Sequence, residues 1–287
     1  MADYVLFIDT NILLDFYRAS SDAGLDLLAK IDQLHDRIVT TDQVEMEFKK
    51  NRQRVIVTAL EGLRKPENKC TVPVFFRETK AVHAMDRSLK RAAALISALK
   101  ERTKKILAHP TVHDPVYNPI ERLFRAETSL SLSRSKDIRF KIRRLAWKRF
   151  ILGYPPRKDR DTSIGDAINW EWIIECARKE GKNVIVASRD SDYGVAVGDT
   201  AYINDWLLQE FRDRVSKKNH VILTGRLSDA LKQMAVTVSK QEEEEEARIV
   251  ERSKEASGAR LVFEKEISER EVSAHAYVAG GLWVQAC

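Results

Sequence analysis

Tyr4-Val5-Leu6-Phe7-Ile8-Asp9-Thr10-Asn11 is the stretch on which the fold turns. Five apolar or aromatic residues in a row read as a strand buried on both faces, the pattern of a parallel sheet. Thr10 and Asn11 open the apolar-periodic run Ile12 to Tyr17, so a helix begins where the strand ends. Asp9 therefore stands at the carboxyl end of a buried strand, the edge along which open α/β sheets bind ligands. Aspartate there is also well suited to cap the following helix, and this stretch alone leaves both readings open.

The pattern recurs. Val184-Ile185-Val186-Ala187-Ser188 is another apolar run, and it leads into Arg189-Asp190-Ser191-Asp192. Two such strands in a parallel sheet bring their terminal aspartates to one edge. Shorter strands are predicted at Arg37-Ile38-Val39-Thr40, at Ala201-Tyr202-Ile203 and from His220 to Thr224. Helices are predicted over Asp22–His35, from a Thr41 or Asp42 cap through Phe48, over Ala81–Leu107 and Pro119–Leu152, from Ser163 to Gly181, and from Asn204 to about Val215. Ser228 is read as the cap of a last helix. It runs through the acidic Gln241–Glu246 segment, which by charge alone is solvated or frayed. Alternating strands and helices give an α/β fold. Residues 1–60 and 155–235 are the expected α/β core, 61–154 a helical insertion, and 236–287 a C-terminal helix and tail.

The chain has 287 residues, 44% hydrophobic and 32% charged, as expected of a soluble globular protein. No apolar stretch is long enough to span a bilayer. The N-terminal apolar run has neither a basic segment before it nor a small-residue cleavage site after it, so it reads as a strand and not a signal peptide. Cys70, Cys176 and Cys287 stand at no metal or redox spacing, which fits a reducing, cytoplasmic setting. His109 and His113 are four residues apart, but Pro110 and Pro115 interrupt any helix there, so both are expected in a loop.

The net charge of +6 is unevenly spread. Residues 87–149 hold 17 Lys or Arg against 5 Asp or Glu. Arg139, Lys141, Arg143, Arg144, Lys148 and Arg149 are densest, with Phe140, Trp147 and Phe150 between them. Such a cluster is a candidate contact for nucleic-acid phosphates.

Asp9, Glu47, Asp166 and Asp190 each lie at a strand end or in the first turns of a helix. Glu47 borders the apolar face set by Val44 and Phe48, whereas its alternative Glu45 points away. Carboxylates gathered at one site repel unless a cation binds among them. An all-oxygen set suits Mg²⁺ or Mn²⁺ rather than Zn²⁺. A phosphatase with an aspartate nucleophile would need Asp-x-Asp. The second position here is Asn11, whose amide cannot carry the proton.

Phe7-Ile8-Asp9-Thr10-Asn11, Glu47-Phe48-Lys49-Lys50-Asn51-Arg52, Gly165-Asp166-Ala167 and Ser188-Arg189-Asp190-Ser191-Asp192 resemble the signature set of PIN-like domains, metal-dependent nucleases of which many cut RNA. The resemblance covers about residues 1–60 and 160–230. It implies a three-layer α/β/α sandwich around a parallel sheet. It also implies Asp9, Glu47, Asp166 and Asp190 as catalytic, metal-binding carboxylates, with Asn11 and Ser188 supporting them by hydrogen bonds and Asp192 on the rim. The long basic insertion resembles that of larger PIN-like proteins rather than the smallest toxins of the group. The expected activity is endonucleolytic hydrolysis by metal-activated water, on RNA rather than DNA, with no membrane involved. The alternatives are a structure-specific DNA nuclease and a binding module without robust catalysis. The C-terminal helix and tail are the expected surface for a protein partner or a second copy.

Overall fold

The computed structural model describes residues 3–61, 72–157 and 163–253. The tail from Ser257 to Cys287, residues 65–71 of the Pro-containing segment Lys65 to Thr79, and the end of the linker that begins at Pro155 lie outside the described residues.

The first strand, β1 (Tyr4–Ile8), is buried from Val5 onward, as its unbroken apolar run requires. Next come α1 (Thr10–Asp15), α2 (Asp22–Gln33), β2 (Ile38–Thr41) and α3 (Asp42–Glu61). The basic region contributes α4 (Lys80–Ala108), α5 (Pro110–His113), α6 (Tyr117–Arg125), β3 (Ser131–Leu132) and α7 (Ile138–Leu152). The chain closes with α8 (Gly165–Glu180), β4 (Asn183–Ala187), β5 (Gly194–Val197), β6 (Thr200–Ile203), α9 (Asp205–Arg214), β7 (Val221–Thr224) and α10 (Leu227–Gln233). A further helix, α11, occupies residues 240–253, the last of the described residues.

Five strands form one parallel sheet in the order β3-β2-β1-β4-β7. Val5 pairs with Val184 and Ile8 with Ala187, so β1 and β4 end level with each other. The chain starts in the middle of the sheet, winds outward to β2 and β3, and returns to β4 and β7 on the other side. This reversal opens a crevice beyond the carboxyl ends of β1 and β4. Helices flank the sheet, as the expected α/β/α sandwich requires. The helix α8 is buried along most of its length, including Trp170, Trp172, Ile173 and Ala177, because α7 covers the side that the sheet does not.

Four local expectations need correction. The stretch Pro119–Leu152 is two helices with β3 between them. Leu130 and Leu132 are buried while β3 pairs with β2, so this part of the basic region belongs to the sheet. His109 caps a short helical turn and His113 is its last residue, so neither lies in a loop; Pro110 sits at the first position, where its missing N–H costs nothing. The sequence reading also missed β5, which pairs antiparallel with β6 through a turn at Gly198, φ +61°.

The fourth concerns the acidic run, one face of which is buried while Gln241 and Glu244 are exposed. Glu242, Glu245 and Glu246 are buried. They lie on one face of α11 at three- and four-residue spacing. Glu242 pairs with Lys30, and Glu245 accepts the Ser20 amide just before α2. Glu246 accepts the amides of Leu227 and Ser228. It does for α10 what Ser228 was expected to do, because Ser228 lies inside the helix. Carboxylates at helix N-termini satisfy donors with no intrahelical partner and favour the positive end of the dipole.

Candidate active site

The crevice is built from four loops and helix starts. Asp9 follows β1 and is 5% exposed. One oxygen accepts the Thr10 amide at 2.6 Å, capping α1. The other accepts from Asn11 Nδ2 at 2.7 Å and from the Ser188 hydroxyl. Asp9 is thus a cap and a site residue at once. Ser188 Oγ in turn accepts the Asp190 amide at 3.0 Å, so the ends of β1 and β4 are laced together by side chains. Arg189 turns away from the crevice, paired with Asp15 and donating to the carbonyls of Asn11 and Gly225. Burial pushes the Asp9 carboxyl up to about 6; the Ser188 hydrogen bond opposes this, and the charges of Asp190 and Glu47 add to it.

Glu47 reaches the crevice from α3, where Thr10 Oγ1 donates to it at 3.1 Å and Gln43 Nε2 at 2.6 Å. Glu45 instead pairs with Lys49 at 2.7 Å on the outer face. Of the two alternatives, Glu47 is the one placed beside Asp9. Asp166 comes from the first turn of α8, which Thr41 anchors through a 2.7 Å hydrogen bond to the buried Asn169. A Cβ on Gly165 would stand 2.7 Å from both Glu47 Oε1 and Gln43 Nε2. Glycine there lets α8 and α3 approach, and so puts Asp166 next to Glu47. Gly165→Ala is expected to leave the fold intact, since only flexible side-chain ends must move. It should displace Glu47 and lower activity or divalent-cation affinity about 10-fold. Cleavage kinetics and a Mn²⁺ titration on the same preparation check this.

The tightest group is Asp166, Asp190 and Asp192, each of which offers a carboxylate oxygen within 4.8 Å of the others. Asp192 therefore stands inside the cluster and not on its rim. Asp9 and Glu47 lie behind it and are close enough for Glu47 and Asp190 to act on Asp9. The donor set is all oxygen and acidic, and the carboxylates repel one another without a counter-charge, which fits Mg²⁺ or Mn²⁺. Two participants were missed in the sequence: Thr10 and Gln43, which hold Glu47. Gln43 stands four residues before Glu47, a spacing that could have revealed it.

Residues 6–193 match the sequence model of the PIN domain. The chain belongs to the PIN-domain family. Comparisons with curated proteins and with solved structures found no match. The PIN-domain match runs unbroken through the basic region, whereas the motif resemblance divides into two pieces. The match runs from within β1 through β2, β3 and β4 to Tyr193, and β5 to β7 follow it in the chain. PIN domains are generally nucleases that use divalent metals, and the carboxylate cluster is compatible with that chemistry.

The basic residues of α7 divide in two. Arg139, with its guanidinium 4.6 Å from the Phe140 ring centre, is partly exposed. Lys141, Arg143, Arg144 and Lys148 are exposed. Arg143 pairs with Asp42 at 2.7 Å and Lys141 with Glu175 at 3.5 Å. Arg149 must be removed from the candidate phosphate contacts. It is 3% exposed, and its guanidinium is taken up by Glu171, Glu210 and the Pro155 carbonyl.

Proposed function

We propose that this chain is a Mg²⁺- or Mn²⁺-dependent endonuclease, acting on RNA. The observation that carries the reading is the carboxylate cluster at the reversal of strand order, beside an Asp9 whose carboxyl is pushed up by burial first and by the neighbouring charges in addition. The RNA preference rests on the family resemblance. Asp166, Asp190 and Asp192 would hold the metal, with Asp9 and Glu47 completing the acidic wall. A bound divalent ion supplies the positive charge that acidifies a water and offsets charge on the phosphoryl oxygens. Asn11 and Ser188 fix the Asp9 carboxylate, and Thr10 and Gln43 fix Glu47. Hydrolysis breaks the P–O3′ bond and leaves a 3′-hydroxyl and a 5′-phosphate. Arg139, Lys141, Arg143, Arg144 and Lys148 would bind the phosphate backbone along α7. Sparse cysteines, with Cys176 buried as a free thiol, support a reducing, cytoplasmic setting. Among the described residues no helix is long and apolar enough to cross a membrane.

The test is incubation of the protein with mixed single-stranded RNA and DNA in Mn²⁺, with and without EDTA. Loss of RNA alone, blocked by EDTA, is the expected result. Loss of DNA alone would replace the substrate, and EDTA-insensitive cutting would refute the metal site. Arg144→Ala with Lys148→Ala should weaken single-strand binding and lower the slope of log K against log salt by about 1.4. An unchanged slope would remove α7 from the interface.

A further inference from the structure

The helix α7 carries apolar side chains on two opposite sides. Ile142, Ala146 and Arg149 are buried and mark the side that packs on α8. With about 3.6 residues per turn, Phe140, Arg144, Trp147 and Ile151 fall on the other side, directed away from the core. Phe140 is 61% exposed, Trp147 51% and Ile151 74%. Single exposed apolar side chains are ordinary, but a stripe of them along the outward side of a helix has no use in packing against α8. Both rings are also held. The Arg139 guanidinium lies over Phe140, and Phe150 meets Trp147 edge-on, with ring centres 5.7 Å apart and planes at 87°. Arg144 and Lys148 stand beside the rings and are exposed. Lys141 and Arg143, on the flanks, are ion-paired, but no carboxylate is paired with Arg144 or Lys148 among the described residues. Arg143 pairs with Asp42, and the next residue, Gln43, holds Glu47. The stripe therefore borders the candidate active site.

We propose that Phe140 and Trp147 are a stacking platform for the bases of a single-stranded nucleic acid, whose phosphates lie on Arg144 and Lys148. This rests on the reading of α7 as a nucleic-acid contact, and it narrows the substrate to strands whose bases are unpaired. In a duplex the base faces are covered by their neighbours, and side chains reach only the backbone and the groove edges. In a single strand those faces are open to aromatic rings, and the stacking tolerates any sequence because every base has a π-face. The two rings are seven residues apart, about 10 Å along the helix axis. That is about three times the rise of one base, so each ring takes a different nucleotide and the phosphates between them fall near the cations. Exposed cations beside the rings match a polyanion and would repel a second copy of the same surface.

The test uses the full chain at low salt in EDTA, so that binding is read without metal-dependent cutting. The probes are fluorescein-labelled RNAs of about 12 nucleotides, within the site sizes of single-strand-binding folds: an unstructured single strand, its duplex, and an abasic strand. Phe140→Ala and Trp147→Ala are each expected to raise the single-strand Kd about 10-fold. Neither should change the Kd for the abasic strand, which has phosphates but nothing to stack. Neither should change the slope of log K against log salt, because no cation is lost. Trp147→Phe keeps an aromatic face and should recover most of the loss. An unchanged single-strand Kd in both alanine variants would overturn the proposal and leave the stripe as a docking surface for a protein. An equal loss on the abasic strand, or equal affinity of the parent for the duplex and the single strand, would overturn it as well. Failure of the parent to bind any of the three RNAs would instead overturn the nucleic-acid reading of α7 beneath it, so the two failures are distinguishable.

Discussion

Asp190→Asn is expected to reduce cleavage by about 10²–10³-fold while making the metal-free protein more stable at neutral pH. The fold has little reason to suffer. The Asp190 side chain accepts the Asp192 amide at 3.2 Å through one oxygen, which asparagine retains. The Asp190 carbonyl still receives the Tyr193 amide. What disappears is a negative charge in a cluster that already holds several. Asp9 is raised from 3.8 to about 6, by burial first, with the Asp190 charge contributing. A carboxyl whose folded value lies above its unfolded value gives stability that is complete below about 4 and is lost as pH rises through about 6. Removing the Asp190 charge relieves part of that loss. The variant should therefore melt above the parent at pH 7 in EDTA, with the difference shrinking toward pH 4. Cleavage at the parental rate would remove Asp190 from the machinery. Equal melting at pH 7 would show that the cluster carries no net repulsion in the metal-free protein. A site residue that costs stability for the sake of activity is common in enzymes.

Arg149→Met is expected to cost about 3 kcal/mol of stability, the largest structural effect among single changes in the basic region. The guanidinium bonds Glu171 at 2.9 and 3.1 Å in a position where both side chains are 3% exposed. Losing one partner of a buried pair strands the other charge. Arg214 reaches Glu171 at 2.6 and 3.0 Å, which holds the expected loss at the lower end of the range for such pairs. A double variant, Arg149→Met with Glu171→Gln, should recover much of it. Urea unfolding of the two singles and the double measures the coupling. The same Arg149 variant, while folded, should bind nucleic acid with the parental salt dependence, in contrast to Arg144→Ala with Lys148→Ala. A stability change under 1 kcal/mol on the order-of-magnitude scale of buried pairs would refute the structural role.

The difference between Arg149 and Arg144 shows where sequence reading reaches and where it stops. The strands β1 and β4 were legible because continuous apolar runs have few other uses, and the aspartates at their ends followed from topology. The placement of Glu47 over Glu45 was legible from the helical period. Arg149 was not, because its partners lie on α8 and α9, and charge composition carries no information about which face is covered. The strand β3 left a trace in the alternation Ser129-Leu130-Ser131-Leu132-Ser133, but at two residues its strand character is imposed by β2. The turn residues Gly198-Asp199 were likewise a usable hairpin signal. The acidic run misled most: Glu245 and Glu246 accept from backbone amides, which no side-chain pattern reveals.

The bonding of α11 to the start of α10 and to Ser20 bears on how the protein is made. Every candidate catalytic carboxylate has been synthesised by Asp192, yet Glu245, which holds the Ser20 amide, and Glu246, which closes the start of α10, come more than 50 residues later. At ordinary translation rates that interval is about 3–10 s. During it the nascent chain holds its acidic residues but not the helix that completes the surrounding layer, so that layer is completed only once residues 240–253 have been made.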